Sequence, residues 1–241
     1  MSNLKMMVCP HDTASNPDRW FMVVQYLAQH LGEHLELEIS LDFADFHTSL
    51  NQADIVYANP TDSLMLIEQK NFVALARPSN VYDEVVFVAN TDVASPSLES
   101  LTGVQLASIE SLQPTRLALH ILREKGIQPA GIENHESWTG VISALWRGEA
   151  QYGLVYKDTY DELSEQGKGM VQAFEVSNER VAFHNVLVGN RGLEKQDTIQ
   201  TMLLTMHTDE KGKEVLQELH MEQWLPTTQD ELATMKRIME S

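Results

Sequence analysis

The sequence predicts an α/β protein. Short apolar strands alternate with amphipathic helical stretches almost from end to end, and several of the helical stretches stop at a glycine. No apolar run approaches the roughly twenty residues needed to cross a bilayer, and no fixed-period repeat or low-complexity tract breaks the alternation.

Residues 4–9 read as the first strand and 10–15 as a strand-to-helix loop. Asn16-Pro17-Asp18 reads as a helix start with proline early, followed by a helix over 19–31 that ends before Gly32. A strand over 35–41, a short helix over 46–51 and a strand over 54–58 follow, then a turn at Asn59-Pro60-Thr61-Asp62. A helix is expected over 63–70 and strands over 72–76 and 82–90, the latter valine-rich and long enough to bridge two lobes. A second series comprises a short helix near Leu98, a strand over 104–108, a helix over 115–125 stopped by Gly126 and an extended piece at 131–134. It continues with a helix over 138–147 stopped by Gly148, a strand over 152–156, a helix over 159–164 and a strand over 171–176. Residues 183–188 then return to the first lobe, and 196–206, 210–220 and 229–240 are helical by periodicity, with Pro226 separating the last two.

The chain has 241 residues, 43% of them hydrophobic, enough for one large domain or two modest ones. Seventeen basic residues against thirty-five acidic ones give a formal charge of −18, which repels a long polyanion, so nucleic acid is not an expected partner. The single cysteine, Cys9, excludes an intrachain disulfide and a thiolate zinc knuckle. No phosphate-binding glycine loop, H-E-x-x-H, G-x-S-x-G or paired C-x-x-C is present, so no cofactor or metal is expected. Cys9 beside His11 and Asp12 is the one local cluster that suggests a nucleophile with a base, but a cysteine ending an apolar strand is usually a buried, inert thiol. The expectation is therefore a binding protein and not an enzyme. Residues 1–8 lack the basic start and long apolar stretch of a secretory signal, so the chain as it begins is expected to be cytoplasmic or already processed.

Ligands of open α/β sheets bind beyond the carboxyl ends of strands, where helix amino termini present free N–H groups. Five turns occupy such positions: Pro10-His11-Asp12-Thr13, Asn59-Pro60-Thr61-Asp62, Ser111-Leu112-Gln113-Pro114-Thr115, Glu136-Ser137-Trp138-Thr139 and Tyr156-Lys157-Asp158. Each has a plainer reading, with Thr61, Ser137 and Asp158 as helix caps and Trp138 and Tyr156 as core. Arg77, before Pro78, is as suited to a surface carboxylate as to an anionic ligand. The near pair His30 and His34 is read as surface.

The order of these segments resembles the phosphate, phosphite and phosphonate substrate-binding proteins of ABC importers, over residues 4–206. The closest pieces are Gly126-Ile127, the stretch 141–163 with Arg147-Gly148-Glu149-Ala150, and Leu75-Ala76-Arg77-Pro78 leading to Tyr82. The resemblance implies a two-lobed type 2 periplasmic-binding fold, each lobe a mixed, mostly parallel sheet flanked by helices, with a ligand cleft between lobes. Lobe 1 would take residues 1–83 and 184–241 and lobe 2 residues 84–183, joined by hinge strands near 82–90 and 183–188. It also implies a small polar or anionic ligand handed to transporter membrane subunits; the protein is expected to be a monomer, periplasmic if the chain is a processed mature form and cytoplasmic if Met1 is the native start. A cytoplasmic sensor built on the same fold and acting on a protein partner is the alternative.

Carried over by that resemblance, Asn59, Pro60, Tyr82 and the Ser111 and Ser137 turns face the ligand. The family's serine-threonine-serine anion cradle resembles Ser111-Leu112-Gln113 here, its serine-histidine-aspartate resembles Ser137-Trp138-Thr139, and an acidic position appears as Tyr156. These departures put binding of an aminophosphonate in doubt and leave an aromatic set, Tyr82, Trp138, Tyr156 and Tyr57. The candidate ligand residues are thus His11, Asn59, Pro60, Thr61, Tyr82, Ser111, Gln113, Thr115, Ser137, Trp138, Thr139 and Tyr156. Thr61, Ser111, Gln113, Ser137 and Thr139 are expected to donate hydrogen bonds to oxygens.

Overall fold

Two β-sheets organise the chain in this computed structural model, which describes residues 3–14, 17–40 and 42–239. Unit 1 is Met1–Val81 with Phe183–Ala233, and unit 2 is Tyr82–Ala182 with Thr234–Ser241. In chain order, unit 1 begins with β1 (Leu4–Val8), α1 (Pro10–Ala14), α2 (Pro17–Leu31), β2 (Leu35–Glu38), α3 (Phe43–Ser49), β3 (Ile55–Ala58), α4 (Pro60–Lys70) and β4 (Val73–Pro78). Unit 2 contains β5 (Val85–Ala89), β6 (Gln105–Ser108), α5 (Gln113–Glu124), β7 (Gly131–Asn134), α6 (Trp138–Trp146), β8 (Tyr152–Tyr156), α7 (Lys157–Asp161), α8 (Glu165–Lys168) and β9 (Gln172–Val176). The chain then adds β10 (Asn185–Val188), α9 (Gln196–Thr205), α10 (Glu210–Glu218), β11 (Trp224–Pro226) and α11 (Gln229–Met239).

The first sheet has the order β11-β4-β10-β3-β1-β2. β1 pairs in parallel with β2 and β3, while β10 runs antiparallel between β3 and β4, and β11 is antiparallel to β4. β3 is buried at every position because its sheet is covered on both faces. On one face Met6, Val8 and Tyr57 join Leu27 of α2, Leu203 of α9 and Leu216 of α10. On the other, Met7, Val56 and Leu187 meet Phe46, Leu50 and Leu66. Asp54, 1% exposed, ties the entrance of β3 to β1 and to the segment that follows β10. Its carboxylate accepts from the Lys5 N–H at 2.9 Å, the Arg191 N–H at 3.1 Å and the Arg191 guanidinium at 2.7 Å.

The second sheet has the order β7-β6-β8-β5-β9, with β6 parallel to β7 and β8 and β5 antiparallel to β8 and β9. The period of two in β5 sorts its side chains. Val85, Phe87 and Ala89 enter a cluster with Leu117 and Leu122 of α5, whereas Val86 and Val88 enter one with Val141 and Leu145 of α6.

Several elements differ from the expectations. Residues 10–14 form a helix, not a loop, because the Asp12 and Thr13 N–H groups turn back onto the Cys9 carbonyl at 2.9 and 3.3 Å. The strand expected over 35–41 ends at Glu38; Leu41, like Asn16 at the expected helix start and Glu240 at the last helix end, lies outside the described residues. α4 starts at Pro60, capped by Asn59, which accepts from the Asp62 N–H at 3.0 Å; Thr61 is not the cap. The helix expected over 159–164 begins earlier, at Lys157, and ends at Asp161, and a separate short helix, α8, follows it, with Ser164 as its cap accepting from the Gly167 N–H. Pro226 does more than separate helices: it ends β11 at the rim of the sheet, where a missing N–H is tolerated. The second half of α11, from Thr234 on, groups with unit 2, where Ile238 joins the core with Leu117 and Leu122.

The chain enters unit 2 after Val81 and leaves it after Ala182. These two passages are joined: the Asp83 N–H donates to the Ala182 carbonyl at 2.7 Å. Glu84, 6% exposed, accepts from the Arg180 N–H at 2.8 Å and from the Ser177 hydroxyl, so its buried carboxylate is hydrogen-bonded at both oxygens.

Candidate functional site

In unit 2 the parallel strands β7, β6 and β8 are adjacent, with Ser108 opposite Asn134 and Ala107 opposite Gly153. Their carboxyl ends therefore open along one sheet edge, and the turns into α5, α6 and α7 leave from it. This topology brings the Ser111, Ser137 and Tyr156 segments to the same edge.

The turn into α5 is the distinctive one. Leu112 occupies the cap position and offers no side-chain hydrogen bond, so a helix of 12 residues begins without a cap. Gln113 at its first position is 7% exposed, and among the described residues neither its amide oxygen nor its amide nitrogen has a hydrogen-bond partner. A buried amide in that state costs about 1–3 kcal/mol. Ser111 is exposed. Thr115 departs from the expected ligand role: it is fully buried, and its hydroxyl lies 2.6 Å from the Ser108 hydroxyl and donates to the Ile109 carbonyl at 2.8 Å.

α6 is capped in the ordinary way. The Ser137 hydroxyl accepts from the Gly140 N–H at 3.1 Å and lies 3.2 Å from the exposed Thr139 hydroxyl. Trp138 is half-buried and packs against the Val86, Val88 and Val141 cluster, so it takes part in the core it was weighed against. Tyr156 is 6% exposed, and its hydroxyl lies 3.2 Å from an Asp83 oxygen and 2.9 Å from an Asp158 oxygen. Two carboxylates thus lie beside the tyrosine at position 156, of which Asp158 belongs to the expected turn and Asp83 lies outside every expected turn. Tyr82, half-buried, is the first residue of unit 2.

In unit 1 the equivalent edge lies at the ends of β1 and β3. The Cys9 N–H donates to the Tyr57 carbonyl at 2.8 Å, which places the start of α1 beside that of α4. Asn59 is held by its own helix and by Asp62, to which it donates at 2.7 Å, and His47 meets the same carboxylate at 2.7 Å. Pro60 is buried, while His11 and Thr61 are exposed. Because β10 is antiparallel, its beginning also lies here, with Asn185 opposite Ala58. His184, 3% exposed, is thereby brought to 3.3 Å from Asp12, a pairing that needs the return strand and is invisible in a local motif. Tyr57 is core: fully buried, it packs on Trp20 at 4.3 Å between ring centroids and on Trp224 at 6.0 Å. Arg77 pairs with Glu231 at 2.5 Å.

Cys9 is fully buried, and burial, aided by the Asp12 charge, pushes its thiol up to about 12. It is protonated at neutral pH and a poor nucleophile. Iodoacetamide is expected to label it in denaturant but not in the native protein on the same timescale; rapid native labelling, read by mass spectrometry, would revive the nucleophile reading. Among the described residues no group of three or more His, Cys, Asp or Glu is arranged to hold a metal ion, and no helix is long and apolar enough to cross a membrane.

A family model described as ABC transporter, phosphonate, periplasmic substrate-binding protein matches residues 6–232. The chain belongs to this phosphonate-binding family. No curated protein sequence matches it. Solved structures share the fold at low identity. A Xanthomonas citri protein bound to chloride ion has a TM-score of 0.75 and 16% identity, covering 100% of this chain and 99% of that one. PhnD1 from Prochlorococcus marinus in complex with methylphosphonate has 0.74 and 13%, covering 98% and 96%. The periplasmic aliphatic sulphonate-binding protein SsuA from Escherichia coli also has 0.74 and 13%, covering 100% and 86%. This phosphonate-binding family member therefore has the two-lobed α/β periplasmic-binding fold, and its relatives by family and by structure are substrate-binding proteins, not enzymes.

Proposed function

We propose that the protein is the solute receptor of an ABC importer and that it binds a small phosphonate or phosphate through the amino-terminal end of α5. The observation that carries this is the buried Gln113 amide, without a partner, at a helix start without a cap. A helix amino terminus supplies free N–H groups and partial positive charge for an oxyanion, and the Gln113 N–H₂ adds a side-chain donor where the family has a hydroxyl. Its carbonyl oxygen needs a donor in turn. A monoprotonated phosphonate or phosphate carries one, and a sulfonate does not, which favours the phosphorus oxyanions. Asp83 and Asp158, beside the Tyr156 hydroxyl, would suit an amino substituent on the ligand, so an aminophosphonate is compatible with this reading despite the tyrosine at 156.

Calorimetric titration at mildly acidic pH with methylphosphonate, phosphate, 2-aminoethylphosphonate and methanesulfonate tests this reading. Saturable heat is expected with the phosphorus oxyanions, weaker with methanesulfonate, together with a rise in melting temperature that grows with ligand concentration. Absence of both signals at millimolar concentrations of every compound would overturn it.

A further inference from the structure

The first sheet ends at β2, and no strand lies beyond it among the described residues. On its inner side the Leu4 N–H donates to the His34 carbonyl at 3.1 Å. Successive residues of a strand turn their N–H and C=O groups to opposite sides, so those of Leu35 and Leu37 face outward, where no strand pairs with them among the described residues. Beside this edge α2 and β2 frame a groove of about 360 Å³ whose apolar lining includes Phe21, Leu37 and Ile39. Phe21 is 51% and Ile39 49% exposed, large apolar side chains left in water next to unpaired backbone. The two faces of β2 differ: Leu35 and Leu37 pack toward the core with α2, and the alternation sends Glu36 and Glu38 to the opposite face.

We propose that this edge receives an extended segment of a partner protein in which basic and apolar residues alternate, added as a further strand beside β2. Such a segment pairs its backbone with Leu35 and Leu37, lays its apolar side chains beside Phe21 and Ile39, and sets its basic side chains beside Glu36, since Glu38 on the same face is already paired with Lys5 at 3.0 Å. A second copy of this chain fits poorly, because antiparallel pairing of two β2 edges sets glutamates against glutamates and joins two bodies that each carry a charge of −18. The site is separate from the α5 terminus and does not depend on ligand binding there.

The test is titration of a short fluorescent peptide of alternating lysine and valine into the full chain, read by anisotropy, with amide exchange followed at Leu35 and Leu37. Saturable binding is expected, with slowed exchange at both amides and affinity reduced about tenfold by Phe21→Ser and by Glu36→Lys. Both substitutions are at exposed positions, and an unchanged melting temperature confirms that the variants fold. Lack of binding at millimolar peptide, equal binding of an alternating glutamate and valine peptide, or unprotected Leu35 and Leu37 amides would each overturn the proposal. So would a dimer in sedimentation that Phe21→Ser dissociates, which would make a second copy the occupant.

Discussion

Substituting leucine for Gln113 is expected to stabilise the free protein and, at the same time, to weaken methylphosphonate binding by about 10- to 100-fold. The two effects share one cause. The Gln113 amide is buried without a partner among the described residues, and leucine removes both polar atoms while keeping most of the apolar contact. Relieving an unsatisfied buried amide is worth about 1–3 kcal/mol to the unliganded state. In the complex the same amide would hydrogen-bond a charged oxygen, an interaction typically worth about 1.5–3 kcal/mol, and leucine forfeits it. Thermal melts with and without ligand, paired with calorimetry, read both quantities on one protein. A lower melting temperature with unchanged affinity would show that the amide is structural and would remove Gln113 from the site. Gln113→Glu sharpens the result, since it places a carboxylate against the oxyanion and should abolish binding in an otherwise isosteric side chain.

The largest stability effect is expected at Asp54. Asp54→Ala should lower the free energy of unfolding by about 2–4 kcal/mol, with the slope of the urea transition unchanged. The carboxylate is almost completely buried and receives two backbone N–H groups from distant segments, Lys5 and Arg191, so its removal strands donors that water reaches poorly. The Arg191 side chain is half-exposed and rehydrates, which keeps the loss below that of a wholly buried ion pair. A shift of less than about 1 kcal/mol would mean that the entrance to β3 holds without its carboxylate. Asp54→Asn retains one acceptor and should fall between the two.

Much of the architecture could be read from local pattern. The strands β1, β3, β5, β6 and β8 are short apolar runs bounded by turn residues, and α5 and α6 end at Gly126 and Gly148, which take up the left-handed conformation that glycine permits. What escaped was settled by tertiary context. β11 is only three residues long and contains a proline, so its strand character comes from the open edge of β4. The helix at Pro10–Ala14 is a single turn whose hydrogen bonds run back to Cys9, too short for periodicity to register. The candidate site was legible as residue types at strand ends, but not as partnerships. Gln113 and Thr115 sit two residues apart in one motif, yet the first is left without a bond and the second is tied to Ser108, a distinction made by β6. Asp12 with His184, and Tyr156 with Asp83, are joined across more than seventy residues by sheet pairing.

The position of β10 has a consequence for biosynthesis. This strand fills the gap between β3 and β4, and the segment that separates it from them in the chain is the continuous part of unit 2. On the ribosome, therefore, the interior of the first sheet stays incomplete until residues 185–188 have been made, whereas all five strands of the second sheet have by then been synthesised. At that point in synthesis the inserted unit has all its sheet partners at hand, whereas the enclosing unit still has β3 and β4 without the strand that joins them.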